Sequence, residues 1–169
     1  MREKVSIKLC DYRDFSSKFD HIASIEMIEA VGENYWPKYF QSISQNLKKG
    51  GRFALQAITV RDEKFEIYRK QPDFIQKYIF PGGMLPSFDI LANVAAKNYF
   101  NIDSVNSFSN DYAKTLNIWN ENFNKNWKKI EELGFDETFK LMWNYYLSYC
   151  EGGFLSKNID LKQIKLNIC

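Results

Sequence analysis

Apolar and polar positions fall into their clearest order between residues 19 and 60. Phe19, Ile22, Ala23, Ile25, Met27 and Ile28 make a near-continuous apolar run, interrupted by Ser24, Glu26 and Glu29, which predicts a strand over residues 19–27 buried on both faces. Beyond Gly32, the side chains of Trp36, Phe40, Ile43 and Leu47 recur at helical spacing. Pro37 stands in the first turn, Lys48 and Lys49 at the end, and Gly50 and Gly51 beyond it. Residues 52–60 return to a strand pattern with Gln56 as its polar interruption. Strand, helix and strand in this order predict a βαβ unit and a parallel pair.

The flanking segments extend the pattern. Residues 5–10 alternate and predict a strand running into a polar turn of Asp11, Tyr12, Arg13 and Asp14. Residues 62–78 read as helix divided by Pro72, and residues 80–87 as a loop rich in Pro and Gly. Ser87 is placed to cap a helix reaching about Lys97, and residues 99–108 alternate as a further strand. Two helices follow. Residues 111–133 turn Leu116, Trp119, Phe123 and Ile130 inward, and residues 136–150 carry Phe139, Met142, Trp143, Tyr146 and Cys150 on one stripe. In residues 159–168, Ile159 and Leu161 hold one phase and Ile164, Leu166 and Ile168 the other, which predicts a bulge near Gln163.

Composition narrows the function classes. A chain of 169 residues with net charge +2 and 26% charged residues has the size of one domain and no polyanion-binding signature. The outlier is an aromatic content of 17%, which suits a dense core or a wall around an apolar ligand. No apolar run approaches the ~20 residues of a membrane span, and the N-terminal residues lack the apolar core of a signal peptide, so the chain reads as cytosolic. Cys10, Cys150 and Cys169 are odd in number and far apart, against both a disulfide framework and a CxxC metal site. His21 alone would have to serve a histidine-dependent nucleophile, and its place in a strand-like run suits a structural role better. Glu29 is the leading candidate for chemistry, because ligands of open α/β sheets bind beyond the carboxyl ends of the strands. The alternative is that Glu29 begins a helix and complements backbone donors there. Cys150 points inward, where a thiol is inert packing unless a charge or cleft adjoins it.

Taken together, DYRDF at 11–15, FDHIASIEMIEAVG at 19–32, YFQSISQNLKKGG at 39–51, FIQKYIFPGGMLPS at 74–87 and YYLSYCEGGF at 145–154 resemble the cyclopropane-fatty-acyl-phospholipid synthase family, along essentially the whole chain. The resemblance implies an α/β fold of the doubly wound class I methyltransferase type, with helices on both faces of the sheet. In the family's strand order 3-2-1-4-5-7-6, this chain would hold the third to the seventh strands. It also implies S-adenosylmethionine as methyl donor and the cis double bond of a phospholipid acyl chain as acceptor. A carbocation-like intermediate then loses a proton to close a cyclopropane ring. Bicarbonate, gripped by a glutamate, a histidine, a tyrosine and cysteine-side groups, is the implied base.

Carried over residue by residue, the resemblance gives catalytic positions to Glu29, Tyr112 and Cys150. Gln56 stands where some members have the bicarbonate histidine; it donates hydrogen bonds but carries no charge. Adenine and ribose contacts fall on Asp11, Tyr12, Arg13 and Ile25. The chain departs from the family in its cofactor half: no glycine-rich GxGxG occurs in it, and Gly50-Gly51, Gly82-Gly83 and Gly152-Gly153 are isolated doublets. The expectation is therefore a single truncated methyltransferase domain over residues 1–169, with an open parallel edge at residues 19–27. It would bind S-adenosylmethionine weakly or not at all and act only when the missing N-terminal segment is supplied; that segment, or a second copy in a homodimer, is the expected protein partner. Phospholipid acyl chains at the membrane surface are the expected partners, with a cytoplasmic, membrane-peripheral location and no nucleic acid. Two alternatives stand beside this reading. One is methylation of an amine or of an acyl branch. The other is a non-catalytic remnant that meets anionic lipid through Lys125, Trp127, Lys128 and Lys129.

Overall fold

The computed structural model describes residues 5–168. The βαβ unit forms as the pattern predicts: strand β1 (Phe19–Ile25), helix α2 (Trp36–Asn46) and strand β2 (Leu47–Val60), with β1 and β2 parallel. A short helix α1 (Ile28–Val31) lies between β1 and α2. The apolar stripe of α2 buries Trp36, Tyr39, Phe40 and Ile43, and Pro37 occupies its first turn, where no intrahelical N–H is lost. Helix α3 (Phe65–Tyr68) is a single turn. Pro72 separates it from the wide turn Ile75–Ile79, which matches the expected break. The Ser87 hydroxyl accepts the Ile90 N–H at 3.4 Å and starts helix α4 (Phe88–Lys97). Strand β3 (Phe100–Ser107), helices α5 (Ser109–Lys125), α6 (Trp127–Glu131) and α7 (Glu137–Leu155), and strand β4 (Ile159–Ile168) complete the order.

The sheet runs β1-β2-β4-β3, and β4 is antiparallel to both of its neighbours. These are the family's strands in the implied order 4-5-7-6. Apolar side chains collect in two clusters. One, around Phe40, Phe53 and Phe100, joins β2, β3 and β4 to α2 and α4; the other, around Leu116, Leu147 and Phe154, joins β4 to α5 and α7.

Several expectations fail, each for a physical reason. Residues 5–10 form no strand: they are extended and exposed, and no neighbouring strand among the described residues supplies a ladder. β1 is not buried on both faces. It pairs only with β2, leaving Ile25 67% exposed on the open parallel edge anticipated above, and His21 is exposed as well. No bulge interrupts β4 at Gln163, where pairing with β2 is continuous; the register shift lies in β3, between Ile102 and Ser104, opposite Leu166 and Lys165. The phase change in β4 is instead a change of face, since Leu161 joins the α5–α7 cluster whereas Ile164 and Leu166 join the α2–α4 cluster. Trp119 remains half exposed on α5, with its ring edge-on to Tyr112. Cys169 lies outside the described residues.

Candidate active site

The chain leaves its extended conformation where β1 ends. Glu26 has φ +49°, in the left-handed region, and its N–H is held by the Gln56 carbonyl at 2.9 Å. This turn starts α1 and directs Glu26 and Glu29, three residues apart, toward the same cavity. The cavity, about 1310 Å³, lies between the carboxyl end of β1, the segment 75–85, α5 and α7. Ile58, Leu116, Ile79, Phe80 and Phe154 give it apolar walls, while Glu26, Glu29, Asp73, Tyr112, Tyr146 and Cys150 bring the chemistry.

Glu29 lines the cavity and complements a backbone donor, though on β2 and not at its own helix start. Its Oε1 accepts the Ile58 N–H at 2.7 Å, which is the backbone-complementing role, while its buried Oε2 has no hydrogen-bond partner. Burial raises its pKa, opposed by the Ile58 N–H, and so favours the neutral acid.

Tyr112 donates to Glu26 Oε2 at 3.1 Å, and Gln56 Nε2 donates to Glu26 Oε1 at 2.7 Å. Gln163 Nε2 in turn donates to Gln56 Oε1 at 2.9 Å, which orients the Gln56 amide. Burial first, then the charge and hydrogen bond of Glu26, hold the Tyr112 phenol well above its ordinary pKa. The Cys150 thiol is pushed up to about 12 by burial and then by Asp73, so it is a poor thiolate source. Asp73 also accepts from the Tyr149 hydroxyl at 3.1 Å, tying the segment before the Ile75–Ile79 turn to α7, where Phe74 meets Tyr145 edge-on at 4.6 Å.

Glu29, Tyr112 and Cys150 thus share one cavity, with Gln56 behind it through Glu26. The four positions expected to hold the cofactor do not line it. Asp11 spends both carboxylate oxygens on Arg13, at 2.6 and 2.9 Å, in an exposed pair that pulls the Asp11 pKa down to about 2. Tyr12 packs edge-on against Tyr39, and Ile25 projects from the edge of β1. Glu26 was the residue missed, because it reads as a mere polar break in a strand. The signal was the pair of carboxylates three residues apart just beyond an apolar run. Trp127, which the remnant reading places at a lipid surface, is buried at the α6–α7 contact beneath Lys140.

A mixed sheet with helices on both faces and an acidic cavity beyond the parallel strand ends defines a class I methyltransferase fold. Among solved structures, the cyclopropane synthase MmaA2 from Mycobacterium tuberculosis superposes with a TM-score of 0.83 at 25% identity, covering 92% of this chain and 57% of that one. The mycolic acid cyclopropane synthase CmaA1 complexed with SAH and CTAB superposes with a TM-score of 0.84 at 28% identity, with the same coverage. The tuberculostearic acid methyltransferase UfaA1 of Mycobacterium tuberculosis is 42% identical over 161 residues, 95% of this chain and 38% of that protein. The cyclopropane-fatty-acyl-phospholipid synthase of Escherichia coli is 37% identical over 160 residues, 95% of this chain and 40% of that protein. The family described as mycolic acid cyclopropane synthetase matches residues 1–164, and the chain belongs to that family. It spans about 38–40% of the length of these two relatives.

Proposed function

We propose that this chain forms the acceptor side of an S-adenosylmethionine-dependent methyltransferase whose substrate is the cis double bond of an unsaturated phospholipid acyl chain. The observation that carries the reading is the cavity: about 1310 Å³, apolar along its walls, and acidic and phenolic where Glu26, Glu29 and Tyr112 meet it. Ile58, Leu116 and Phe154 set apolar surface beside these groups, which strengthens the electrostatic contacts there. S-adenosylmethionine, when bound, supplies an electrophilic methyl group. The phenol oxygen of Tyr112, its hydrogen turned to Glu26, offers lone pairs to positive charge developing on the acyl carbon. Cys150 acts as a neutral thiol, a weak donor on the α7 wall.

Methyl transfer that leaves a one-carbon branch on a still unsaturated acyl chain is the second reading, favoured by the 42% identity with a protein named tuberculostearic acid methyltransferase. Both readings place the substrate at the membrane surface. No helix among the described residues is long and apolar enough to cross a membrane.

The test is a chimera of the E. coli synthase in which this chain replaces its matching segment, expressed in a host lacking that enzyme. Lipid mass spectrometry should find acyl chains heavier by one methylene, with a ring in place of the double bond. A one-carbon branch with a double bond retained would select the second reading, and an unchanged lipid profile from a folded chimera would sink both.

A further inference from the structure

The bicarbonate implied by the family resemblance needs hydrogen-bond donors around it. Of the four positions assigned to it, two are already engaged: Tyr112 gives its hydroxyl hydrogen, and Gln56 one of its amide hydrogens, to the carboxylate of Glu26. The Gln56 amide has no freedom to turn back, because Gln163 occupies its oxygen. A second anion at this place would face the Glu26 carboxylate at close range, and the hydrogens that Tyr112 and Gln56 direct at Glu26 would not be available to it. Glu26 also holds a left-handed backbone conformation that favours glycine, a strain tolerated where the surrounding contacts fix it. The residues present therefore do not fit bicarbonate.

We propose that the anion of this site is a side chain: the carboxylate of Glu26 fills the role of the base. The proposal rests on the acyl-methylation reading. In the step it performs, a C–H bond of the newly transferred carbon breaks and its proton passes to a Glu26 carboxylate oxygen. The C–H electron pair forms the last C–C bond of the ring. Glu26, then neutral, releases the proton to solvent when the product leaves. Tyr112 and Gln56 hold the carboxylate toward the cavity throughout. The groups facing Tyr112 are Glu26 from the end of β1 and Tyr146 and Cys150 from α7, with the Phe154 ring beneath it.

Two measurements on this chain, independent of turnover, test the anion assignment. With tyrosines labelled at Cζ with carbon-13, in degassed buffer, added bicarbonate should leave the Tyr112 resonance unmoved. In Glu26→Gln, the Tyr112 titration midpoint should fall by one pH unit or more while that of Tyr68, which does not contact Glu26, stays in place. Glu26→Gly, which suits the backbone at this position, provides the same readout if the glutamine variant fails to fold. A saturable bicarbonate shift of Tyr112 in the unmodified chain, or an unmoved Tyr112 midpoint in the folded variant, would overturn the proposal. The base role is read in the active chimera. There Glu26→Gln should lower turnover about a hundredfold, in the range of lost general-base catalysis; full turnover of that variant, or dependence of the parent chimera on added bicarbonate, would contradict it. An inactive parent chimera would count against the function reading alone, because the resonance measurements stand without it.

Discussion

Phe154 and Phe53 are both buried phenylalanines, and the structure predicts that truncating them has unequal cost. Phe53 is enclosed on β2, fully buried, with the rings of Tyr39, Phe40 and Phe100 at centroid distances of 6.4, 6.1 and 5.9 Å. Phe154, 1% exposed, has one such ring partner, Tyr112 at 4.8 Å, and its other side faces the cavity. Phe→Ala in a closed core costs about 3–5 kcal/mol, and each aromatic pair adds about 0.5–1.5. Phe53→Ala should therefore cost about 5 kcal/mol. In Phe154→Ala, the lost ring merges with space already present and the walls can relax into it, so about 3 kcal/mol is expected. With a urea m-value of about 2 kcal/mol/M, the two unfolding midpoints should differ by about 1 M. Equal midpoints at equal m-values would refute the claim that Phe154 is the wall of an accessible cavity.

Two further outcomes follow from the titrating groups. At pH 8, iodoacetamide followed by peptide mass mapping should modify exposed Cys10 at least about a hundredfold faster than Cys150, whose thiol is pushed up to about 12; comparable rates would contradict its buried placement. Because the folded pKa of Glu29 lies above its unfolded value, the native state binds the extra proton, and stability falls as pH rises from the ordinary glutamate range through the raised value. Glu29→Gln should flatten that slope in urea unfolding series across the window. An unchanged slope would mean that Glu29 is not the buried acid described.

Much of the fold was legible because local pattern and tertiary role agree in this chain. The stripe of α2, the Ser87 cap and the break at Pro72 are decided within a few residues, and each appears where the pattern puts it. What failed depended on partners that a local pattern does not contain. Residues 5–10 alternate well, but a strand exists only through a ladder. The phase change at Gln163 looked like a bulge because one-sided burial was assumed, whereas β4 has helices over both faces. At the site, Glu29 was legible from its place beyond an apolar run, whereas Tyr112 and a catalytic place for Cys150 came only through resemblance, and the fold brings the three to one cavity. Glu26 was hidden because its role comes from a backbone turn at φ +49° and from donors 30 and 86 residues away in sequence.

The account stands most directly on what enters the cavity. An oleoyl phospholipid carrying a diazirine in place of its mid-chain double bond, photolysed with the chain in detergent, should label residues of the 75–85 segment, α5 and α7 that face Glu26 and Glu29. Label confined to the open edge of β1 or to the exposed residues 5–10, with none inside the cavity, would contradict it.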